Sequence, residues 1–335
     1  YLHRPRIKGC SFSFDKFNFN LCFHNNSQYN FDYAIKSYEK ALIIKPDYFE
    51  VHNNLGNILH ELGNYEDAIK CYDEAIAINP NYARAYFNLG NAIHELSLKG
   101  FGHLDDPINI YEKSLSIDPN YAEAHNNLGN IFKDLGRLDE ALNSFKEAVR
   151  IRPNYAEALY SLGVVFFDLG QFDLAIDSYQ KAIEINPNFS HAFNNIGNTY
   201  IEKDKLDLAI EFYQKALKIN SNYSEAHNNL GNAYKQLGKL DHAVESYKKA
   251  IEINPNYPAL HNNLGSVYRE LGQLENALKC YSKGLTYNSE FVDLLNNLGV
   301  VLHDLGQLDE AVQQYEKAIS IKPDYAEAYN NLGVT

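Results

Sequence analysis

The sequence predicts an all-α fold, a solenoid built from antiparallel pairs of helices. The first observation is a motif glycine, usually preceded by leucine, that recurs every 34 residues, with one step of 39. The second is that each interval carries two apolar stripes at helical spacing, and the third is a proline near the end of most intervals. A fixed period in this range indicates one supersecondary unit that is stacked many times. The motif glycines are Gly56, Gly90, Gly129, Gly163, Gly197, Gly231, Gly265, Gly299 and Gly333.

One interval, residues 122–155, shows how the sequence specifies a helix pair. Its first stripe includes Ala124 and Leu128, and Gly136 is predicted to end that helix because a left-handed residue costs glycine little. The second stripe includes Ala141 and an aromatic residue, Phe145, and a proline near the end of the interval stops that helix. Equivalent aromatic residues are Tyr38, Tyr72, Tyr111, Tyr179, Tyr213, Tyr247, Tyr281 and Tyr315. Each interval is therefore predicted to be one antiparallel helix pair with a glycine and an alanine at its closest approach.

This order of Leu-Gly, alanine, aromatic residue and proline resembles the tetratricopeptide repeat (TPR). The resemblance covers residues 27–335, with eight complete repeats over 49–325 and partial repeats at both ends. It implies a right-handed superhelix whose first helices line the concave face. Residues 1–26 fit the pattern poorly, with Cys22 in place of the motif glycine, and are expected to be a degenerate helix, a linker or a disordered segment. Because the chain contains no Met and stops within a repeat, we expect a fragment, with Leu332 exposed at its end and available for end-to-end association.

The one long interval contains a five-residue insertion, predicted to lie in the turn between its two helices, where residues 97–108 replace the short Leu-Gly turn. Gly100 and Gly102 suit an irregular loop, and Pro107 stands where the sibling repeats have alanine. Proline is tolerated in the first turn of a helix but not in its interior. We therefore predict that the second helix of this repeat begins late, with Asp106 as its cap and Pro107 just inside.

Composition narrows the function classes. The net charge of −13 argues against a nucleic-acid partner, and no apolar run approaches the length of about 18 residues of a membrane span. The four cysteines have no disulfide or metal spacing, which favours reduced thiols in the cytoplasm, or in the nucleus of a eukaryote. His52, His125, His227 and His261 share one register, four residues before the motif glycine, but apolar residues fill that position in other repeats. A packing role is favoured over a metal site, and we predict no cofactor, no metal and no catalytic residue.

Asparagines follow the motif glycines through most repeats, at positions two before and one after. A carboxamide both donates and accepts hydrogen bonds, so a row of them can hold an extended chain by its backbone; the other interpretation is that they bridge neighbouring helices. The candidate peptide-binding residues of the concave face are Asn54, Asn57, Asn88, Asn91, Asn127, Asn130, Asn195, Asn198, Asn229, Asn232, Asn263 and Asn297. The row is interrupted at Ser161 and Val164, and Phe167 and Ile201 extend the apolar break, which is either a docking point for an apolar anchor or a site of closer helix packing.

The charge of this face favours one kind of partner. Acidic residues such as Asp168 and Glu202 lie five after most motif glycines, where TPR domains that clamp acidic chaperone tails need Lys and Arg. We therefore expect a protein or extended peptide that is neutral or basic, and no membrane. The leading hypothesis is a non-catalytic scaffold for protein–protein interaction. The alternative is the substrate-recognition arm of a larger glycosyltransferase, since the array resembles the TPR arm of O-linked N-acetylglucosamine transferase and of SPINDLY proteins; a third is an architectural subunit.

Overall fold

The computed structural model describes residues 27–100 and 105–335, and the chain groups into two compact units, residues 1–124 and 125–335. Within the described residues it contains eighteen helices and no strand. The helices that begin in unit 1 are α1 (Ser27–Ile44), α2 (Phe49–Glu61), α3 (Tyr65–Ile78), α4 (Ala83–Leu98), α5 (Asp105–Ile117) and α6 (Ala122–Asp134). The expectation for residues 1–26, including Cys22, lies outside the described residues.

Each complete repeat consists of two helices, which we call its first and its second helix. In unit 2, as in unit 1, first and second helices alternate along the chain. Its helices after α6 are α7 (Leu138–Ile151), α8 (Ala156–Asp168), α9 (Phe172–Ile185), α10 (Ser190–Glu202), α11 (Leu206–Ile219), α12 (Ser224–Gln236), α13 (Leu240–Ile253), α14 (Pro258–Glu270), α15 (Leu274–Tyr287), α16 (Val292–Asp304), α17 (Leu308–Ile321) and α18 (Ala326–Val334). The predicted all-α array of antiparallel helix pairs is confirmed.

The motif glycine allows the two helices of a repeat to pack closely. A Cβ atom added to Gly197 would lie 2.5 Å from ring atom Cε1 of Tyr213, and equivalent close approaches occur at the other motif glycines except Gly333. The tyrosine ring itself is 2 % exposed, and the repeat's alanine, Ala209, is completely buried beside it. Glycine on one helix and alanine on the other therefore create the space that the aromatic ring fills, as the sequence pattern predicts.

The turn between the helices of a repeat depends on a left-handed residue. Gly136, Gly238 and Gly272 have φ values of +72°, +69° and +71°, a region that glycine enters without strain. The same position in the repeat of Gly197 is occupied by Asp204, with φ of +54°. The conformation of the turn is thus imposed by the repeat and not by the local residue, because Asp204 adopts it without the freedom of glycine.

The insertion lies between α4 and α5, as predicted, although one detail differs. Helix α4 runs three residues further than its sibling α2, and α5 begins at Asp105, so that Asp106 lies inside the first turn and does not cap it. Pro107 is the third residue of α5 and is buried. Its missing N–H costs nothing there, because the first N–H groups of a helix have no partner within the helix. The prediction of Asp106 as the cap is therefore wrong, while Pro107 in the first turn is confirmed.

The last helix is better packed than the sequence suggested. Leu332 is half-buried against the apolar cluster that contains Tyr315, so the expectation that Leu332 is exposed is wrong. Helix α18 packs on both α16 and α17, which cover one of its faces. Tyr329 and Val334, on its other side, are 51 % and 73 % exposed.

Candidate functional site

The first helices of neighbouring repeats lie side by side in each unit. In unit 1, α2 packs on α4; in unit 2 the same contact joins α8 to α10, α10 to α12, α12 to α14 and α14 to α16. Among the described residues, the second helices of neighbouring repeats show no comparable packing. The first helices of unit 2 therefore form the inner side of its stack. We call their solvent-facing surface the first-helix face.

All twelve asparagines of the predicted row lie on first helices, and all are half-buried. Those two before the motif glycine reach back to the preceding repeat. Asn263 donates from Nδ2 to Oδ1 of Asn228 at 2.9 Å, and Asn297 donates to Asn262 at 2.8 Å. In unit 1, Asn88 makes the same bond to Asn53 at 2.8 Å. The row is thus a ladder of hydrogen bonds between repeats, as one of the two sequence interpretations held.

The asparagines one after the motif glycine have a different partner. The buried tyrosine of the same repeat donates its hydroxyl to their Oδ1: Tyr213 to Asn198 at 2.8 Å and Tyr247 to Asn232 at 2.6 Å. Burial raises the pKa of both tyrosines, which keeps the hydroxyl protonated as a donor. Tyr72 makes the same bond to Asn57 in unit 1, at 3.0 Å. The buried tyrosine of the same repeat therefore fixes the orientation of each of these asparagines.

The ladder uses the Nδ2 groups of the row more than its amide oxygens. Asn229 uses Nδ2 twice, with Asn194 at 3.2 Å and Asn198 at 3.1 Å, and Asn263 and Asn297 use it once each. The Oδ1 atoms of these three residues accept no hydrogen bond from the described part of the chain. Because the Nδ2 hydrogen bonds fix the amide planes, these Oδ1 atoms are held in one orientation.

Sequence reasoning missed the acceptors of this ladder. Asn53, Asn194, Asn228, Asn262 and Asn296 lie three before the motif glycine, and the structure places each in reach of the following repeat's asparagine. The signal was available, because these residues form Asn-Asn pairs with the row and recur with the same period. Asn53, Asn194 and Asn296 are buried, and a buried amide needs a partner, which the next repeat supplies.

At the break in the row, residues other than asparagine make the hydrogen bonds between repeats. Ser161 stands in place of the asparagine, and its hydroxyl points to Oδ1 of Asn130 at 3.5 Å. Asn195 donates to the Tyr160 hydroxyl at 3.0 Å, so the connection between repeats continues. Asn127, also in unit 2, accepts from Asn126 at 3.3 Å. The remaining members of the row, Asn54 and Asn91, occupy the same positions of α2 and α4.

Three of the four histidines of the shared register contact the backbone. Nε2 of His52, His227 and His261 lies 2.9, 3.1 and 2.8 Å from a backbone carbonyl oxygen six residues earlier, in the turn before the helix. Each ring therefore ties the start of a first helix to the preceding turn. No cluster of three potential metal ligands occurs among the described residues. The packing interpretation of these histidines agrees with the geometry.

An ion pair crosses the first-helix face between two repeats of unit 2. Lys235, four after its motif glycine, contacts Oε1 of Glu270, five after the next, at 2.8 Å. Burial raises the pKa of Asp168, and the charge of Lys133 in the preceding repeat opposes that rise. The Lys235–Glu270 contact shows that these two positions of neighbouring repeats lie within ion-pair distance.

Comparison with known families now assigns the chain. Models described as TPR repeat or tetratricopeptide repeat match residues 27–63, 56–97, 110–143, 129–170, 156–189, 178–211, 197–238, 231–268, 265–306 and 301–335. The chain belongs to the tetratricopeptide-repeat family. TPR arrays serve as scaffolds that bind protein partners, and the matched segments of this chain are repeats throughout. No helix in the described part of the chain has the length and hydropathy to cross a membrane.

Two solved structures, of PilF and of Cut9–Hcn1, agree with this chain on the fold. A Pseudomonas aeruginosa PilF structure aligns with a TM-score of 0.56 and 21 % identity, covering 64 % of this chain and 97 % of that one. The Cut9–Hcn1 structure of the APC/C aligns with a TM-score of 0.57 and 17 % identity, covering 92 % of this chain and 59 % of that one. A MamA structure, 27 % identical, covers 50 % of this chain and 97 % of that one, with a TM-score of 0.46. No curated protein matches the chain.

Proposed function

We propose that the first-helix face of unit 2 binds an extended segment of a partner protein by its backbone, through the asparagine row. The observation that carries the proposal is the fixed orientation of Asn229, Asn263 and Asn297, each held by the preceding repeat with its Oδ1 free to accept. Peptide N–H groups are the natural donors to such oxygens. Because little side-chain entropy remains to be lost, each contact costs less than one made by a mobile asparagine.

The spacing of the row suits an extended chain. Packed helices have axes about 8–10 Å apart, and about three residues of an extended chain span that distance. In a polyproline II conformation every third residue repeats its orientation, so that successive repeats meet equivalent N–H groups. Contacts to the backbone do not depend on the side chains of the partner. The row would therefore select for an extended conformation and not for a particular sequence.

The ladder changes how this proposal must be tested. Alanine at Asn229 and Asn263 removes donors to Asn194, Asn198 and Asn228, and each lost hydrogen bond costs about 1 kcal/mol of stability. Serine is the better replacement, because Ser161 already occupies an equivalent position and points its hydroxyl at the preceding repeat. Serine removes the amide carbonyl that the proposal requires while keeping a donor.

The experiment compares two double variants in a peptide-binding assay. Asn229→Ser with Asn263→Ser is expected to weaken binding of an extended peptide about tenfold, with thermal stability near that of the original chain. The comparison variant is Asn228→Ala with Asn262→Ala, which keeps the oxygens of Asn263 and Asn297 but removes the acceptors that orient them, so it is expected to lower stability and to weaken binding less than the serine variant does. Normal affinity in the serine variant would show that the row only joins repeats.

The glycosyltransferase-arm alternative uses the same groove and stays a prediction. In that case the bound segment is the protein substrate to which a sugar is transferred. In a longer protein that carries a catalytic domain, Asn229→Ser with Asn263→Ser is then expected to lower sugar transfer as well as binding. A scaffold shows loss of partner binding alone. Assaying transfer and binding with the same variant separates the two.

A further inference from the structure

The pairing of charges across the first-helix face follows a rule in unit 2, and the rule has one exception. The position four after one motif glycine and the position five after the next carry opposite charges in Lys133 and Asp168, Lys235 and Glu270, and Arg269 and Asp304. Of these pairs, Lys235 and Glu270 form an ion pair at 2.8 Å. Ile201, an apolar residue at the first position, precedes a neutral Gln236 at the second. The exception is the pair in which Phe167 precedes Glu202.

Glu202 consequently carries a charge that its neighbours do not balance. Its side chain is exposed, and it makes no ion pair within the described residues. The adjacent Lys203 is committed elsewhere, to the carboxylate of Asp173. On α10, Glu202 lies four residues after Asn198, so the two side chains are neighbours on one face of the helix. The carboxylate thus lies close to the asparagine row.

An apolar surface borders this carboxylate. Val164, Phe167 and Ile201 lie on the contacting helices α8 and α10 and are half-buried, so part of each side chain stays accessible. Phe167 contacts the ring of Phe172, with centroids 5.7 Å apart, and Ile201 packs on the cluster that contains Tyr213. The second sequence interpretation, closer helix packing, therefore accounts for only part of their surface.

We propose that this part of the first-helix face selects a partner segment that carries an apolar side chain next to a lysine or arginine. The apolar side chain covers Val164, Phe167 and Ile201, and the adjacent cation pairs with Glu202 as Lys235 pairs with Glu270. An acidic residue there would meet Glu202 at short range and is disfavoured. The inference rests on the proposed function, since the peptide backbone must lie along the asparagine row to bring its side chains here.

The test uses fluorescent peptides of about twelve residues, which span about 40 Å when extended. All are built from alanine, serine and glycine and differ only in a central pair: Leu-Lys, Leu-Glu, Ser-Lys or Ser-Ser. The Leu-Lys peptide is expected to bind at least tenfold more tightly than the Leu-Glu and Ser-Ser peptides. Equal affinity for all four peptides would overturn the inference while leaving the proposed function intact, and no binding of any peptide would overturn both.

Two variants copy residues that sibling repeats already tolerate. Phe167→Lys supplies the missing cation opposite Glu202 and removes the apolar surface, so it is expected to abolish the preference for Leu-Lys. Glu202→Gln copies Gln236 and is expected to keep the preference for leucine but lose the preference for lysine over glutamate. Both should retain the helicity and melting temperature of the original chain. A Leu-Lys preference that survives in both variants contradicts the assignment.

Discussion

Replacing Gly197 by alanine tests the packing that defines the repeat. The new Cβ would lie 2.5 Å from Cε1 and 2.7 Å from Cδ1 of Tyr213, far inside a normal contact. The ring cannot move away easily, because it is 2 % exposed and its hydroxyl is bonded to Asn198. Overpacking of a rigid core costs about 1–3 kcal/mol, and alanine returns about 1 kcal/mol through its helix propensity. Because the contacts at this site are so short, we take the upper end of the overpacking range and expect the free energy of unfolding to fall by about 2 kcal/mol.

A repeat array distributes stability unevenly, so the assay should be local. In such arrays each repeat contributes its own stability and that of its interfaces, and amide hydrogen exchange reports local opening. A loss of about 2 kcal/mol corresponds to roughly thirtyfold faster exchange in α10 and α11. The matched control is Gly333→Ala, because nothing lies within 4 Å of a Cβ at that motif glycine. Unchanged exchange in the Gly197 variant, or an equal loss in the control, would refute the reasoning.

Two further predictions concern single positions that differ from their siblings. Asp204→Gly relieves a left-handed non-glycine residue, and urea unfolding should show a gain of about 0.5–1 kcal/mol, whereas Gly238→Asp should show a loss of similar size; a loss for both would contradict this. Burial lowers the pKa of His227, so the folded chain disfavours the proton that the unfolded chain accepts below a pKa of about 6.5. Stability should therefore fall as the pH drops from about 7 to 5, and His227→Leu, which copies Leu159, should fall less over the same range; identical pH profiles would remove this histidine from the account.

The sequence predicted the fold well because the residues that define the helix packing recur in almost every complete repeat. Gly197, Ala209 and Tyr213 recur with one spacing, and three mutually dependent residues of this kind allow one packing arrangement. Leu332 and Asp106 were predicted less well for local reasons. Leu332 is half-buried because α18 packs on two helices. Asp106 lies inside α5 because that helix begins one residue earlier than predicted.

The candidate site was predicted only in outline. The sequence located the asparagine row but left open whether its amides bind a ligand or join repeats. The distinction depends on which amide atoms are already bonded, as with Asn263 and Asn228, and periodicity carries no information about that. The unbalanced charge of Glu202 was likewise hidden, because it becomes visible only when Lys235 and Glu270 show which positions face each other.

Binding of a backbone-methylated peptide tests the central claim most directly. The Leu-Lys peptide can be made with N-methyl groups on every third residue, which removes peptide N–H donors and leaves all side chains in place. If the asparagine oxygens accept those hydrogens, the methylated register that faces the row should bind at least tenfold more weakly, and the Asn229→Ser, Asn263→Ser chain should discriminate much less between methylated and unmethylated peptides. Equal affinity of the original chain for every methylated register and for the unmethylated peptide would contradict backbone recognition by the row.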